Sequence, residues 1–161
     1  MGPDHNVYVE NIFDFSAEQC EEYLASLGIS AEIHPTFNIT CINGFVPFKL
    51  KFGNPSRNFL SGFELYLSTY THEFYDDCSY NEELSRAKYD IMIVGHDDDS
   101  FERLMIYSFS AYLCKYCRGL FFDCYSGEYK NVAHLENEIQ SILKALNSPN
   151  QRLMTHPFVK W

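Results

Sequence analysis

The stretch "GHDDDSFER", residues 95–103, places a histidine and three consecutive aspartates between a short apolar run and an amphipathic one. Carboxylate oxygens are the ligands Mg²⁺ prefers, and histidine is the usual acid–base group near neutral pH. One reading of His96, Asp97, Asp98 and Asp99 is therefore a divalent-metal-dependent enzyme or ligand-binding site at a strand-to-helix turn, a place where α/β sheets often hold ligands. Adjacent aspartates point in different directions, however, and no alternating acidic loop ending in glutamate is present. A second reading makes Asp99 a helix N-cap with Glu102 three residues on, as in a capping box, where negative charge suits the exposed N–H groups. A third gives the same acids to a basic protein partner, and one carboxylate can cap while its neighbours face outward.

Other candidate chemistry is sparser. "CKYC", Cys114 to Cys117, has redox spacing but falls near the end of its helix, where the dipole disfavours a thiolate. Zinc needs about four ligands, and only Cys124 and scattered histidines accompany this pair. His34, His72, His134 and His156 stand apart, and no G-x-S-x-G, G-x-G-x-x-G, G-K-[ST] or H-E-x-x-H occurs. No cofactor is expected.

Charge is more informative. The chain has 161 residues and a formal net charge of −10. Between Thr71 and Glu102, ten acids face only Arg86 and Lys88, so that stretch carries −8 of the total. Such acidity argues against nucleic acid as a direct partner, because phosphate binding depends on Lys and Arg. Within it, "YDDCSYNEE", residues 75–83, mixes carboxylates with tyrosines. That composition suits either a solvated face or a surface that steers a basic protein by charge and grips it with rings.

The elements that must position these groups are legible in the pattern. Ser16 caps a helix carrying Cys20, Tyr23, Leu24 and Leu27 on one stripe, with Gly28 as its stop. Residues 31–70 read as sheet, with "NG" at Asn43 and Gly44 as punctuation and apolar alternation through Phe48, Leu50, Phe52 and then Phe63, Leu65, Leu67. Residues 71–87 read as loop with one helical turn near Glu82 to Arg86. "KYDIMIVGH" reads as a central strand covered on both faces. Residues 100–118 form a helix ended by Gly119, "LFFDCYSGEYKN" gives a strand and a turn at "SG", and residues 132–146 form the last amphipathic helix. The expected fold is α+β: one domain over residues 1–161, a mostly antiparallel sheet with about three helices packed on it, and one strand-helix-strand unit that could be parallel.

The segments "GFVPFKLKFG", "FLSGFELYLSTY" and "YDIMIVGHDDDSFERLMIYSFSAYLCKYCRGLFFDCYSGEY" together resemble the small bacterial immunity proteins of polymorphic toxin systems, those of contact-dependent growth inhibition above all. The resemblance covers the general pattern of residues 44–128, including a helix that runs into Arg118 and Gly119 just before Leu120, Phe121, Phe122 and Asp123. It implies a cytosolic protein that binds one cognate toxin domain, often a nuclease, and occludes its active site. It assigns no residue a role. The absence of a long apolar run or a signal-like N-terminus also reads as cytosolic and off the membrane, with the six cysteines as reduced thiols. The expected partner-binding residues are Tyr75, Asp76, Asp77, Tyr80, Glu82, Glu83, Asp97, Asp98 and Asp99. The rival expectation is the metal or ligand site around His96, and an adaptor domain is a third.

Overall fold

The computed structural model describes residues 4–96, 99–148 and 156–161. Its seven main strands are β1 (Asp4–Val9), β2 (Ser30–Ile33), β3 (Asn43–Phe52), β4 (Arg57–Thr69), β5 (Tyr89–Val94), β6 (Gly119–Asp123) and β7 (Glu128–Lys130). They form one antiparallel sheet in the order β2-β3-β4-β5-β1-β6-β7, and the short β8 (His156–Pro157) pairs with β4 at Phe59 and Leu60. Four helices complete the α+β fold: α1 (Ala17–Ser26), α2 (Asn81–Arg86), α3 (Ser100–Tyr116) and α4 (Val132–Leu146).

β1 is the strand that the periodicity of "DHNVYV" did not announce. It sits at the centre of the sheet, antiparallel to both β5 and β6. β5 and β6 therefore run in the same direction with β1 inserted between them, and α3 joins them over one face of the sheet. The strand-helix-strand unit exists in this split form, without a parallel neighbour pair.

Alternation along the strands gives the sheet an inner and an outer face. Val7, Val9, Val46, Phe48, Leu50, Phe63, Leu65, Ile91, Ile93 and Phe121 face inward and are buried with Phe109, Tyr112, Leu113 of α3 and Leu135, Ile139 of α4 in one cluster. α3 is buried around most of its circumference because the sheet lies on one side and α1 and α4 on others. Ser16 caps α1 through the Gln19 N–H, Asp99 caps α3 through the Glu102 N–H at 2.8 Å, and Asn131 caps α4 through the His134 N–H.

Three local expectations need correction. Gly119 does not end α3; Arg118 adopts the left-handed conformation there, with φ 53°, and Gly119 begins β6. A Cβ on Gly119 would stand 3.0 Å from Val7 Cγ1 and from Val9 Cγ1, so the glycine is needed for β6 to close on β1. "NG" is not a turn, because Asn43 and Gly44 open β3 opposite Tyr66 and Leu65. Nor is β5 covered on both faces: Ile91 and Ile93 are buried, but Met92 is 36% exposed on the outer face. Four consecutive apolar residues hide an alternation that only the covering elements decide.

Candidate functional site

The acidic segment after β4 takes an unexpected path. β4 and β5 are neighbours, yet Tyr80 packs on Tyr129 of β7, with ring centroids 5.2 Å apart and four strand spacings, about 19 Å, from β4. On the way Tyr70 meets Tyr8 of β1 at 4.6 Å, and Leu84 and Ala87 become buried apart from the main core. Residues 70–88 are thus a strap across the outer face of β1, β6 and β7. Asn81 fixes its fold. The Asn81 side chain accepts from the Tyr75 N–H at 3.2 Å and from His72 Nε2 at 2.7 Å, and its amide donates to the Tyr75 carbonyl. Because His72 donates through Nε2, its Nδ1 is left to accept the Tyr70 hydroxyl at 2.8 Å.

This arrangement sorts the expected partner-binding residues. Phe74 and Tyr75 project from the strap at 67% and 57% exposure, with Asp76 and Asp77 exposed beside them. Glu82 and Glu83 are exposed in the first turn of α2. Tyr80 is half-buried against Tyr129, so it anchors the strap more than it faces outward. Asp97 and Asp98 lie outside the described residues. Asp99 spends one carboxylate oxygen on the cap of α3. The strap and the His96 corner stand at opposite ends of β5, about 17 Å apart along the strand. They do not merge into one acidic patch.

At the His96 corner the Glu102 carboxylate is buried and accepts the His96 N–H at 2.8 Å. Gly95 makes that possible, since a Cβ there would stand 2.5 Å from Glu102 Oε1. The His96 ring turns to the outer face and meets Glu64 at 3.0 Å, and Glu64 also accepts the Tyr66 hydroxyl. The Tyr66 hydrogen bond, with His96 beside it, holds the Glu64 carboxyl below its ordinary range. Among the described residues no group of three or more His, Cys, Asp or Glu side chains is placed to hold a metal ion.

Between these two ends, among the described residues, no helix covers the outer face over β3, β4 and β5. Its register rows set Phe45, Glu64 and Val94 side by side, then Tyr66 and Met92, then Ser68 and Asp90. Phe45 lies over Gly62, where a Cβ would come within 2.7 Å of its ring, and it remains 50% exposed. Leu60 and Met92 are each 36% exposed. Asp90 accepts from Asn6 Nδ2 at 2.7 Å, and burial raises its carboxyl above the usual range against that bond. The outer positions of β1, β4 and β5 carry no Lys or Arg. At the far side, Phe158 and Trp161 lie against Lys49 and His34.

A second cluster of titratable groups lies beneath the inner face, with His5 and Asp123 buried and Glu138 at its exposed rim. Lys130 Nζ bridges Asp123 Oδ2 at 3.0 Å and Glu138 Oε1 at 2.8 Å. His5 Nδ1 lies 3.4 Å from Asp123 Oδ1 without hydrogen-bond alignment, and its ring stacks on Phe121. Burial pulls His5 below its ordinary 6.5, outweighing the Asp123 charge. Burial works to raise Asp123, but the Lys130 hydrogen bond, the His5 charge and the Tyr125 N–H outweigh it and leave the carboxyl below 3.8. Both shifts have the same consequence for stability: the unfolded chain binds protons more readily than the folded one as pH falls. His5 stabilisation is complete above about 6.5 and is lost as pH drops through its lower folded value; the Asp123 contribution is lost only further down, below 3.8. The urea midpoint should fall between pH 7.5 and 5.0, and His5→Phe should flatten that segment of the profile. An equal decline in the variant would assign the acid sensitivity elsewhere.

The cysteines Cys20, Cys114 and Cys117 are buried and all six are free. Burial pushes the Cys114 thiol well up and that of Cys117 to about 12. The C-x-x-C pair is therefore protonated at neutral pH, as its place at a helix C-terminus implies.

Among the described residues no helix is long and apolar enough to cross a membrane. No protein-family model, no curated protein and no solved structure matches this chain.

Proposed function

We propose that this protein is a binding protein for a basic protein domain, and that it acts as an immunity protein that neutralises a cognate, nuclease-like toxin by occluding its active site. The observation that carries the reading is the strap: a segment with five carboxylates against Arg86 and Lys88, net −3, whose tip presents Phe74 and Tyr75 to solvent between Glu73, Asp76 and Asp77, on a backbone pinned by Asn81. Large exposed rings beside carboxylates have the composition of an interface hot spot inside a steering field. The resemblance to immunity proteins supplies the kind of partner. The chemistry-bearing groups that are brought together, His5, Asp123 and Lys130 with Glu138 at the rim, serve each other.

Charge and rings should separate kinetically. Replacing Asp76, Asp77, Glu82 and Glu83 by lysine should slow association with the partner by ten- to a thousandfold at low salt and remove most of its salt dependence, because the change acts on long-range attraction. Tyr75→Ala should leave the on-rate alone and raise the off-rate by about thirtyfold or more, as expected of a ring worth 2 kcal/mol or more. Surface plasmon resonance over a salt series reads both. An unchanged on-rate and salt slope in the fourfold variant would remove the strap from the interface.

A further inference from the structure

We infer that the bare outer face over β3, β4 and β5 is the seat of an amphipathic helix presented by that basic partner. The inference rests on the proposed function and adds what the partner brings to this surface. β3, β4 and β5 lie side by side at the rows of Glu64 and Tyr66, where the floor is about 14 Å wide, and it continues on β4 and β5 beyond Tyr66; a helix with its side chains is about 10–12 Å across. β5 offers about 17 Å of length, the span of roughly eleven helical residues.

The floor supplies apolar contact from Phe45 and Met92, 50% and 36% exposed on adjacent outer rows, while Leu60 lies on the same face beyond the end of β5, opposite Lys49. Flanking it are the strap with Phe74, Tyr75, Asp76 and Asp77 on one side and Phe158 with Trp161 on the other.

Charge chooses among occupants. Glu64 and Asp90 stand on the floor and the strap acids at its end, with no Lys or Arg on the outer positions of β4 and β5; Lys49 and Lys51 of β3 share this face beyond the end of β5, and Lys49 is paired with Glu32. A second copy of this chain would set these carboxylates against themselves at a net charge of −10 each. A helix whose leucine-like face meets Phe45 and Met92, and whose Lys and Arg flank that face, satisfies both halves of the surface.

Methyl NMR on the full chain labelled with ¹³CH₃-methionine tests this, because Met92 is on the floor and Met105 is fully buried as a control for folding. The probe is an eighteen-residue helical peptide of leucine and lysine in amphipathic order, with two comparison peptides: leucine replaced by serine, and lysine replaced by glutamate. The Met92 methyl should shift with the Leu/Lys peptide while Met105 stays, and Phe45→Lys should weaken binding at least tenfold with Met105 unmoved. The Ser/Lys peptide should leave Met92 in place.

A Met92 signal that ignores the Leu/Lys peptide would overturn the inference. So would one that responds equally to the Leu/Glu peptide, or one that shifts with protein concentration alone, which would make the occupant a second copy. The strap reading fails separately: it is lost when the fourfold lysine variant binds the partner with unchanged salt dependence, whatever Met92 does.

Discussion

Phe109→Ala should lower the unfolding free energy by about 3–5 kcal/mol, the usual cost of truncating a buried aromatic to alanine. Phe109 is completely buried in α3 and its ring meets four others: Phe63 at 5.3 Å, Phe15 at 5.9 Å, Phe48 at 6.1 Å and Phe37 at 6.2 Å. These rings come from β4, β3 and the loops flanking α1 and β2, so one truncation loosens the contact of α3 with half the sheet. A domain holds about 5–15 kcal/mol in total, so the variant should be marginal at 37 °C. Phe13→Ala is the contrast. Phe13 is 74% exposed, and its loss should change stability by no more than about 0.5 kcal/mol. Urea unfolding of the two variants beside the parent reads the difference, and similar costs would contradict the placement of the core.

Lys130→Met should cost about 3 kcal/mol, because it leaves Asp123, only 5% exposed, without its ammonium partner. Glu138 adds little to this cost, since its side chain is 37% exposed and water can replace Lys130 there. The interior has one way to respond. Lys130 helps keep His5 neutral, whereas Asp123 favours its protonated form. Removing the lysine should therefore raise the His5 pKa, which an NMR titration of the imidazole follows directly. Adding Asp123→Asn should recover much of the stability, because the amide oxygen can still accept the Tyr125 N–H while no charge remains to be paired. If Lys130→Met were as stable as the parent and the His5 pKa did not move, the bridge would contribute nothing.

Helices and their ends were the most legible part of this sequence. Ser16 and Asp99 act as the caps their spacing implies, and the stripe Leu135, Ile139, Ile142, Leu146 is the buried face of α4. These are local signals, written within one turn. The faces of the strands were legible only where one face was polar enough to alternate, as in Phe48 to Lys51 and Phe63 to Ser68. β1 is short, and its register with β5 and β6 comes from partners at least 80 residues away. The bare face over β3 to β5 was hidden for a related reason: "IMIV" cannot say which of its residues the helices will cover, so Met92 read as core.

The strap is the instructive case. Its acids and tyrosines were visible as a partner-binding composition, but the role of each ring was not. Tyr80 anchors the segment on Tyr129 while Tyr75 projects, and the difference is made by Asn81 and by β7, which no local pattern links to it. Likewise Asp99 read as part of the same acidic stretch as the strap, whereas β5 holds the His96 corner and the strap apart by its own length.

The central claim is tested most directly by capture and neutralisation. The tagged protein is used at low salt to take up binding proteins from lysate of its source cells, bound protein is eluted with high salt and identified, and each captured polypeptide is then expressed alone and together with this chain. The account predicts a basic polypeptide that is toxic alone, harmless at equimolar co-expression, and again toxic beside the variant with lysine at 76, 77, 82 and 83. Capture of only acidic or neutral proteins, or of a basic protein whose toxicity this chain leaves untouched, would contradict it.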